Sequence, residues 1–241
     1  MEKINKNIGI FILNYNGLNW IKNNLHNIIL HSPNTEITII DNNSNDNSIN
    51  YIETHFPKVK TIRHPKNYGF SKGYNKVLLE NVHNDYFVIM NNDVKVTKNW
   101  LQPMLNLIQK PNIGIVQPKI MNSAKKNIFD YAGAAGGFLD IYGIPFCRGR
   151  IINNIEPDSN QYEDSTQIFW ASGCCLMIKR DIFQMLNGFD EDFFMHQEEI
   201  DLCWRAQALH IKSYYCAKST IYHYGGGTLQ SNNPMKNYYN H

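Results

Sequence analysis

The densest group of reactive side chains lies at residues 188–205. Six carboxylates fall within those eighteen residues: Asp190, Glu191, Asp192, Glu198, Glu199 and Asp201. Phe189, Phe193, Phe194, Met195, Ile200, Leu202 and Trp204 are set among them. A solvated acidic face does not need so many bulky apolar neighbours. Carboxylates held in a partly apolar wall are suited to binding a metal or moving a proton, because burial disfavours their charged form. Three smaller polar clusters precede this run: Asn14 and Asn16; Asp41, Asn43 and Asp46; Asn91 and Asp93.

The elements that must position these groups are legible in outline. Residues 8–13, 36–40, 59–62, 86–90 and 113–116 are apolar runs of strand length. Leu18, Ile21, Leu25, Ile28 and Ile29 recur at helical spacing over 18–31, with Asn16 or Gly17 placed to cap that helix. Further helices are predicted through about residue 56, over 71–82 and over 99–109. This alternation predicts an α/β fold, a mainly parallel central sheet flanked by helices. Ligands of such sheets bind at the carboxyl ends of the strands, and the three polar clusters fall at that edge. From 128 to 165, Gly and aromatics are dense without a helical period, so loops or a hairpin are expected. Beyond lie strand-like 167–170 and 174–178, helical 180–186 and 198–209, and short strands at 213–217 and 220–222. No linker or repeat interrupts 1–241, so one domain is expected, with a change of character near residue 120.

The 241 residues, 43% hydrophobic and 18% charged, are enough for a substantial core. A net charge of +2 gives no electrostatic case for binding nucleic acid. No apolar run approaches membrane-spanning length, and the polar start lacks the apolar centre of a secretion signal. The five cysteines are odd in number and include no C-x-x-C pair. That points to a reduced, cytoplasmic setting and away from zinc held by cysteine. Asparagine is so abundant that any single one carries little weight.

Seven motifs, in order, give the chain a resemblance. They are 13–17 (Leu-Asn-Tyr-Asn-Gly), 40–46 (Ile-Asp-Asn-Asn-Ser-Asn-Asp), 67–75 (Asn-Tyr-Gly-Phe-Ser-Lys-Gly-Tyr-Asn), 90–94 (Met-Asn-Asn-Asp-Val), 173–180, 188–205 and 222–226. In this order and spacing the chain resembles glycosyltransferase family 2, in its bacterial rhamnosyltransferase-like branch. The resemblance implies a GT-A fold, with a nucleotide-binding half over about 1–120 and an acceptor-binding half over about 121–241. It implies transfer of a sugar from a nucleoside-diphosphate sugar to a hydroxyl on a glycan or lipid-linked acceptor. Bacterial surface polysaccharide or glycoconjugate synthesis is the expected setting.

Residue roles follow from the same resemblance. Asp41 would accept hydrogen bonds from the nucleobase, with Asn14, Asn16 and Asn43 about the same pocket. Asn67, Gly69, Phe70 and Gly73 would form the loop and helix start beside the nucleotide. Asn91 and Asp93 stand at the family's metal signature, with Asp93 the ligand to Mg2+ or Mn2+ and His223 completing the site. The catalytic base should lie in the Glu-Asp pair of the 188–205 motif. This chain has Glu198-Glu199 there, a departure that lengthens the side chain without changing its chemistry. Glu199 is the leading candidate, with Glu198 and Asp201 open if the backbone register differs.

The chemistry needs a cation for the leaving diphosphate and a base for the acceptor hydroxyl. Hard cations take carboxylate and phosphate oxygens, and a histidine ligand shifts the preference toward manganese. On a helix beginning near 198, residues 198, 201 and 205 share a face. Asp201 would then pair with Arg205, leaving Glu199 to face the cleft. One base and no nucleophile implies inversion at the anomeric carbon. Ordinary readings stand beside these: Asp41 and residues 91–93 as turn residues, His223 as structural, Asp190 and Glu191 as loop braces, Trp170 and Trp204 as core. The alternative functions are a non-catalytic nucleotide-sugar binder and a sugar-phosphate nucleotidyltransferase. The tyrosine-rich end at 234–241 resembles the start of a helical tail, which implies a longer protein that contacts the inner face of the membrane.

Overall fold

The computed structural model describes residues 7–151 and 154–225. The 234–241 tail and Gly226, the end of the last motif, lie outside the described residues. In chain order the first half forms β1 (Ile8–Asn14), α1 (Leu18–His31), β2 (Glu36–Asp41), α2 (Ser48–His55), β3 (Lys60–Arg63), α3 (Ser71–Leu78), β4 (Tyr86–Asn91), β5 (Val94–Val96), α4 (Leu101–Ile108) and β6 (Ile113–Asn122). The second half forms β7 (Gly137–Leu139), β8 (Pro145–Cys147), β9 (Arg150–Ile151), β10 (Asn154–Ile155), β11 (Thr166–Ile168), β12 (Cys175–Lys179), α5 (Arg180–Met185), α6 (Glu198–Ala208) and β13 (Lys212–His223).

The main sheet runs β11-β13-β6-β12-β4-β1-β2-β3, with β5 paired to β13. Parallel pairing holds β4-β1-β2-β3, as the alternation predicts, and also β6 with β13. β12 enters antiparallel between β4 and β6. Its first residue, Cys175, pairs with Met90 near the end of β4. The turn preceding β12 therefore lies at the carboxyl edge of the parallel strands, where the polar clusters stand.

Both faces of the sheet are covered, which is why its strands read as continuous apolar runs. On β1, Ile8, Ile10 and Ile12 join one core with residues of α1, α2 and α4. Phe11 points the other way, into a second core with residues of α3, α5 and α6. The expected hairpin region becomes a small antiparallel sheet of β7 to β10. The two short strands expected near 213–222 are one strand, β13, whose pairing to β6 shifts register between Cys216 and Thr220. That bulge interrupts the apolar pattern and makes one strand read as two. The α1 cap also differs: Gly17 supplies no side chain. Instead Asp46 Oδ2 accepts the Leu18 N–H at 2.9 Å while its Oδ1 takes the Ser48 N–H.

The tryptophans separate. Trp170 is core: its indole donates to the Phe138 carbonyl, and a Cβ on Gly137 would lie 2.0 Å from the ring. Trp204, expected in the core, is 53% exposed. The buried side of α6 carries Glu198, Leu202, Cys203 and Ala206, and Trp204 sits off that side against Phe169.

Candidate functional site

β1 and β2 end side by side, with Asn14 opposite Asp41. The buried Asn14 amide donates to Asp41 Oδ1 at 3.0 Å, and to Ser44 and Ser48. Its carbonyl accepts from Asn92. Asn14 is thus fully engaged behind the strand ends. Asp41 also receives the Ser44 N–H and hydroxyl. Beside it opens a pocket of about 340 Å³ that includes Asp41, Asn43, Ser44, Asn50, Arg63 and His64. At its rim Arg63 forks onto Glu53 at 2.8 and 2.9 Å. Asn43 holds a left-handed φ of 64° on the pocket wall. Asn16 stands off that lining, its carbonyl taken by the Asn45 N–H and its own N–H given to Ser44.

The 67–73 segment connects this edge to the acidic run. Asn67 Oδ1 accepts the Gly69 N–H at 2.9 Å. Gly69 has φ +75°, and a Cβ there would lie 2.4 Å from the Phe194 carbonyl oxygen, so only glycine fits. That carbonyl accepts the Phe70 N–H. The Phe70 ring packs edge-on against Tyr74 and Phe189. Gly73 brings α3 close to β1, where a Cβ would meet Leu13 at 3.0 Å.

Within the acidic run the carboxylates have separate fates. Glu191 pairs with Lys72, while Asp190 caps its own loop by accepting the Asp192 N–H. Asn75 of α3 clamps the same loop, exchanging bonds with the Phe189 N–H and carbonyl. Asp201 is bound by Arg205 at 2.7 Å, and Arg205 also donates to the Leu186 and Gly188 carbonyls. Asp201 therefore fastens α6 to the turn after α5, and its carboxylate is committed. Two consecutive left-handed residues, His196 and Gln197, turn the chain into α6. There Glu198 is 4% exposed, and the Oε2 atoms of Glu198 and Glu199 are both sealed with no hydrogen-bond partner. Burial, then the neighbouring Glu199, pushes the Glu198 carboxyl well above its ordinary range. Burial also raises Glu199, but N–H groups including those of Gly173 and Gln197 reach its carboxylate and temper the shift.

A second buried group lies at the same edge. His223 sits between two carboxylates, with Nε2 3.2 Å from Asp93 Oδ1 and Nδ1 3.0 Å from Asp130 Oδ2. Burial alone would lower the imidazole pKa; Cys174 and the carboxylates of Asp130 and Asp93 outweigh it, and the net shift is well upward. Cys174 itself is pushed upward by burial and stays a thiol. Asp93 Oδ1 makes no hydrogen bond. The turn before β12 joins this group to Glu199. A Cβ built on Gly173 would lie 3.7 Å from the Glu199 carboxyl carbon and 3.3 Å from Phe70, and the next residue, Cys174, accepts the Asn91 N–H.

The family model for glycosyl transferase family 2 matches residues 9–186. The chain belongs to glycosyltransferase family 2. A hexosyltransferase of low-salt glycan biosynthesis, Agl10 of Haloferax volcanii, is 25% identical over 87% of this chain and 64% of its own length. The rhamnosyltransferase WbbL of Escherichia coli is 24% identical over 66% of this chain and 59% of its own. The chain thus spans about three fifths of the length of these relatives, whose names agree with the rhamnosyltransferase-like branch. Among solved structures, GalNAc-T7 with UDP, GalNAc and Mn2+ superposes with a TM-score of 0.71 at 16% identity, covering 92% of this chain and 44% of that one. The mannosyltransferase PcManGT of Pyrobaculum calidifontis, with GDP-Man and Mn2+, gives 0.61 at 15%, covering 89% and 56%. The fold is GT-A.

In this family 2 member, several residues that build the site carry no sequence signal of their own. Gln117, fully buried in β6, accepts the Ser172 N–H at 2.8 Å and donates to the Gly133 carbonyl. It sets the turn that carries Gly173. Asp130 reaches His223 from 93 residues away, a separation that no local pattern reports. Asp46 stands in one of the polar clusters and Asn75 ends the 67–75 motif, but Leu18 and the 189 loop, which give them their roles, are distant in sequence. No described helix is long and apolar enough to cross a membrane.

Proposed function

We propose that the chain transfers a sugar from a nucleoside-diphosphate donor to a hydroxyl of a glycan or lipid-linked acceptor, with inversion, in surface glycan synthesis. The observation that carries this reading is the turn at 172–174. It holds Glu199 against Gly173 and, one residue on, bonds the strand end that leads to Asp93. A proton acceptor and a leaving-group site thus share one edge. Support for the acceptor class comes from a further relative, named N-acetylglucosaminyl-diphospho-decaprenol L-rhamnosyltransferase, of Mycobacterium tuberculosis.

In this reading Asp41 and Asn43 hold the nucleobase in the pocket beside them, with Asn14 and Asn16 fixing the loop around it. Asn67, Gly69, Phe70 and Gly73 shape the wall that the donor passes, and Asn91 closes it. Asp93 and His223 fit a divalent cation: a buried carboxylate oxygen without a hydrogen bond stands beside an imidazole nitrogen, a donor set suited to Mg2+ or Mn2+. No three such side chains converge into a metal site among the described residues, so donor phosphate oxygens and water supply the rest. The cation, when bound, neutralises charge on the departing diphosphate.

Glu199 serves as the base. Burial raises both adjacent carboxyls, Glu198 with Glu199 beside it, and the N–H groups that reach Glu199 favour its ionised form. The acceptor hydroxyl gives its proton to the Glu199 carboxylate as its oxygen attacks the anomeric carbon and the bond from that carbon to the diphosphate breaks. With the acceptor oxygen attacking directly, one displacement inverts that centre.

The test is a panel of UDP-, dTDP- and GDP-sugars with Mg2+ or Mn2+, read first by thermal stabilisation and then by nucleoside diphosphate release. Stabilisation with turnover is expected. No binding by any donor would overturn the reading. Binding without turnover would favour a non-catalytic nucleotide-sugar binder, which the glutamate at 199 makes the second reading.

A further inference from the structure

We infer that Asp130 is the positioning residue for His223, locking its Nδ1–H so that Nε2 alone is presented to the cation. This rests on the cation reading proposed for Asp93 and His223. Asp130 is 2% exposed. Its backbone N–H donates to the Ile120 carbonyl in β6, and its Oδ2 accepts the Ala132 N–H at 3.0 Å. The carboxylate is therefore fixed at both backbone and side chain before it meets the ring. His223 ends β13, whose register against β6 places it opposite Asn122, so both partners are hung from the same strand.

An imidazole has two nitrogens, and the bond made by one decides what the other offers. With Nδ1 bonded to Asp130 at 3.0 Å, Nε2 faces Asp93 Oδ1 at 3.2 Å. Asp130 meets the ring at the nitrogen turned away from Asp93. It orients the ligand and raises its basicity without touching the ion. Outer partners of this kind are worth roughly 10–100-fold in metal affinity.

The experiment measures Mn2+ held on the protein by water-proton relaxation enhancement, with UDP, dTDP or GDP saturating in turn. D130A is expected to weaken Mn2+ binding by up to about 100-fold and D130N, which keeps an acceptor without charge, by roughly tenfold. Nucleotide affinity in EDTA should stay within about twofold of the original protein, which separates this role from support of the fold. With Mg2+ in place of Mn2+, the His223 15N shifts should report a proton fixed on Nδ1, and a mixture of tautomers in D130A. A folded D130A that holds Mn2+ like the original protein overturns the inference. If D130A does not fold, D130N decides, and unchanged Mn2+ binding there overturns it equally. Should the original protein hold no Mn2+ with any nucleotide, the cation reading falls as well, an outcome distinct from both.

Discussion

Glu198 and Glu199 are adjacent, isosteric to glutamine, and assigned opposite duties, so two single-atom exchanges test the base directly. Glu199→Gln keeps the shape of the side chain and removes the proton acceptor. Positioned general bases contribute about 10²–10⁴-fold, which is about 2.7–5.4 kcal/mol of barrier. Nucleoside diphosphate release should fall by that factor with melting temperature maintained. In the original protein the rate should rise with pH through a range above the ordinary glutamate value, because burial raises the Glu199 carboxyl. That limb should vanish in Glu199→Gln.

Glu198→Gln should behave differently. Its carboxyl is raised by burial and by Glu199 and takes no proton from the acceptor in this reading, so turnover should stay within about tenfold of the original. Stability should change instead. A carboxyl whose folded pKa exceeds its unfolded value stabilises fully below the unfolded value and loses that contribution as pH rises through the folded one. Each pH unit between the two costs about 1.4 kcal/mol. Gln cannot ionise, so Glu198→Gln should melt higher than the original in alkali, with the gap closing in acid. Scanning fluorimetry and a release assay from about pH 5 to 9 read both effects. If Glu198→Gln abolishes release while Glu199→Gln spares it, the roles are reversed and the reasoning from burial is wrong.

Three further outcomes are expected. Asp41→Asn should weaken nucleoside diphosphate binding by roughly 10–100-fold, the worth of one hydrogen bond to a charged group; calorimetry within twofold of the original would exclude Asp41 from the nucleobase pocket. Arg205→Leu removes bonds to Asp201 and to the Leu186 and Gly188 carbonyls, and urea unfolding should show a loss of about 2–4 kcal/mol. Asp46→Ala uncaps α1 and should cost about 1–2 kcal/mol. Burial opposes ionisation of Asp46, but bonds from Ser48 and Leu18 prevail and hold it below the usual range. Its contribution is present above the unfolded pKa and lost as pH falls through the folded one, so the deficit of Asp46→Ala should shrink in acid.

Much of this architecture was legible in the chain because its signals are local. The apolar runs at 8–13, 36–40 and 86–90 are strands with both faces buried, and α1 follows the helical spacing of Ile21, Leu25 and Ile28. The Asp201–Arg205 pair was readable from its spacing alone. Elements set by distant partners were not. The antiparallel entry of β12 depends on where residues 123–174 return to the sheet, and Trp204 faces solvent because Leu202, Cys203 and Ala206 take the buried side of α6. Asp130 is a residue in a Gly-rich segment until β6 and β13 bring it to His223.

The insertion of β12 is what brings a second set of residues to the carboxyl edge of the parallel strands. Parallel strands deliver Asn14, Asp41 and Asn91 to one edge, and the chain leaves the first two of these ends along helices. A strand that starts at that edge and runs back brings its own preceding turn to the strand ends, as Cys175 does opposite Met90. That turn can then touch both the end of β4, through Cys174, and α6, through Gly173. A Cβ at 173 would stand 3.3 Å from Phe70 and in ordinary contact with Glu199 at 3.7 Å, so the Glu199 side chain lies close against the turn before β12. The longer side chain at 199 is accommodated there. A glutamate reaches that turn from the first turn of α6.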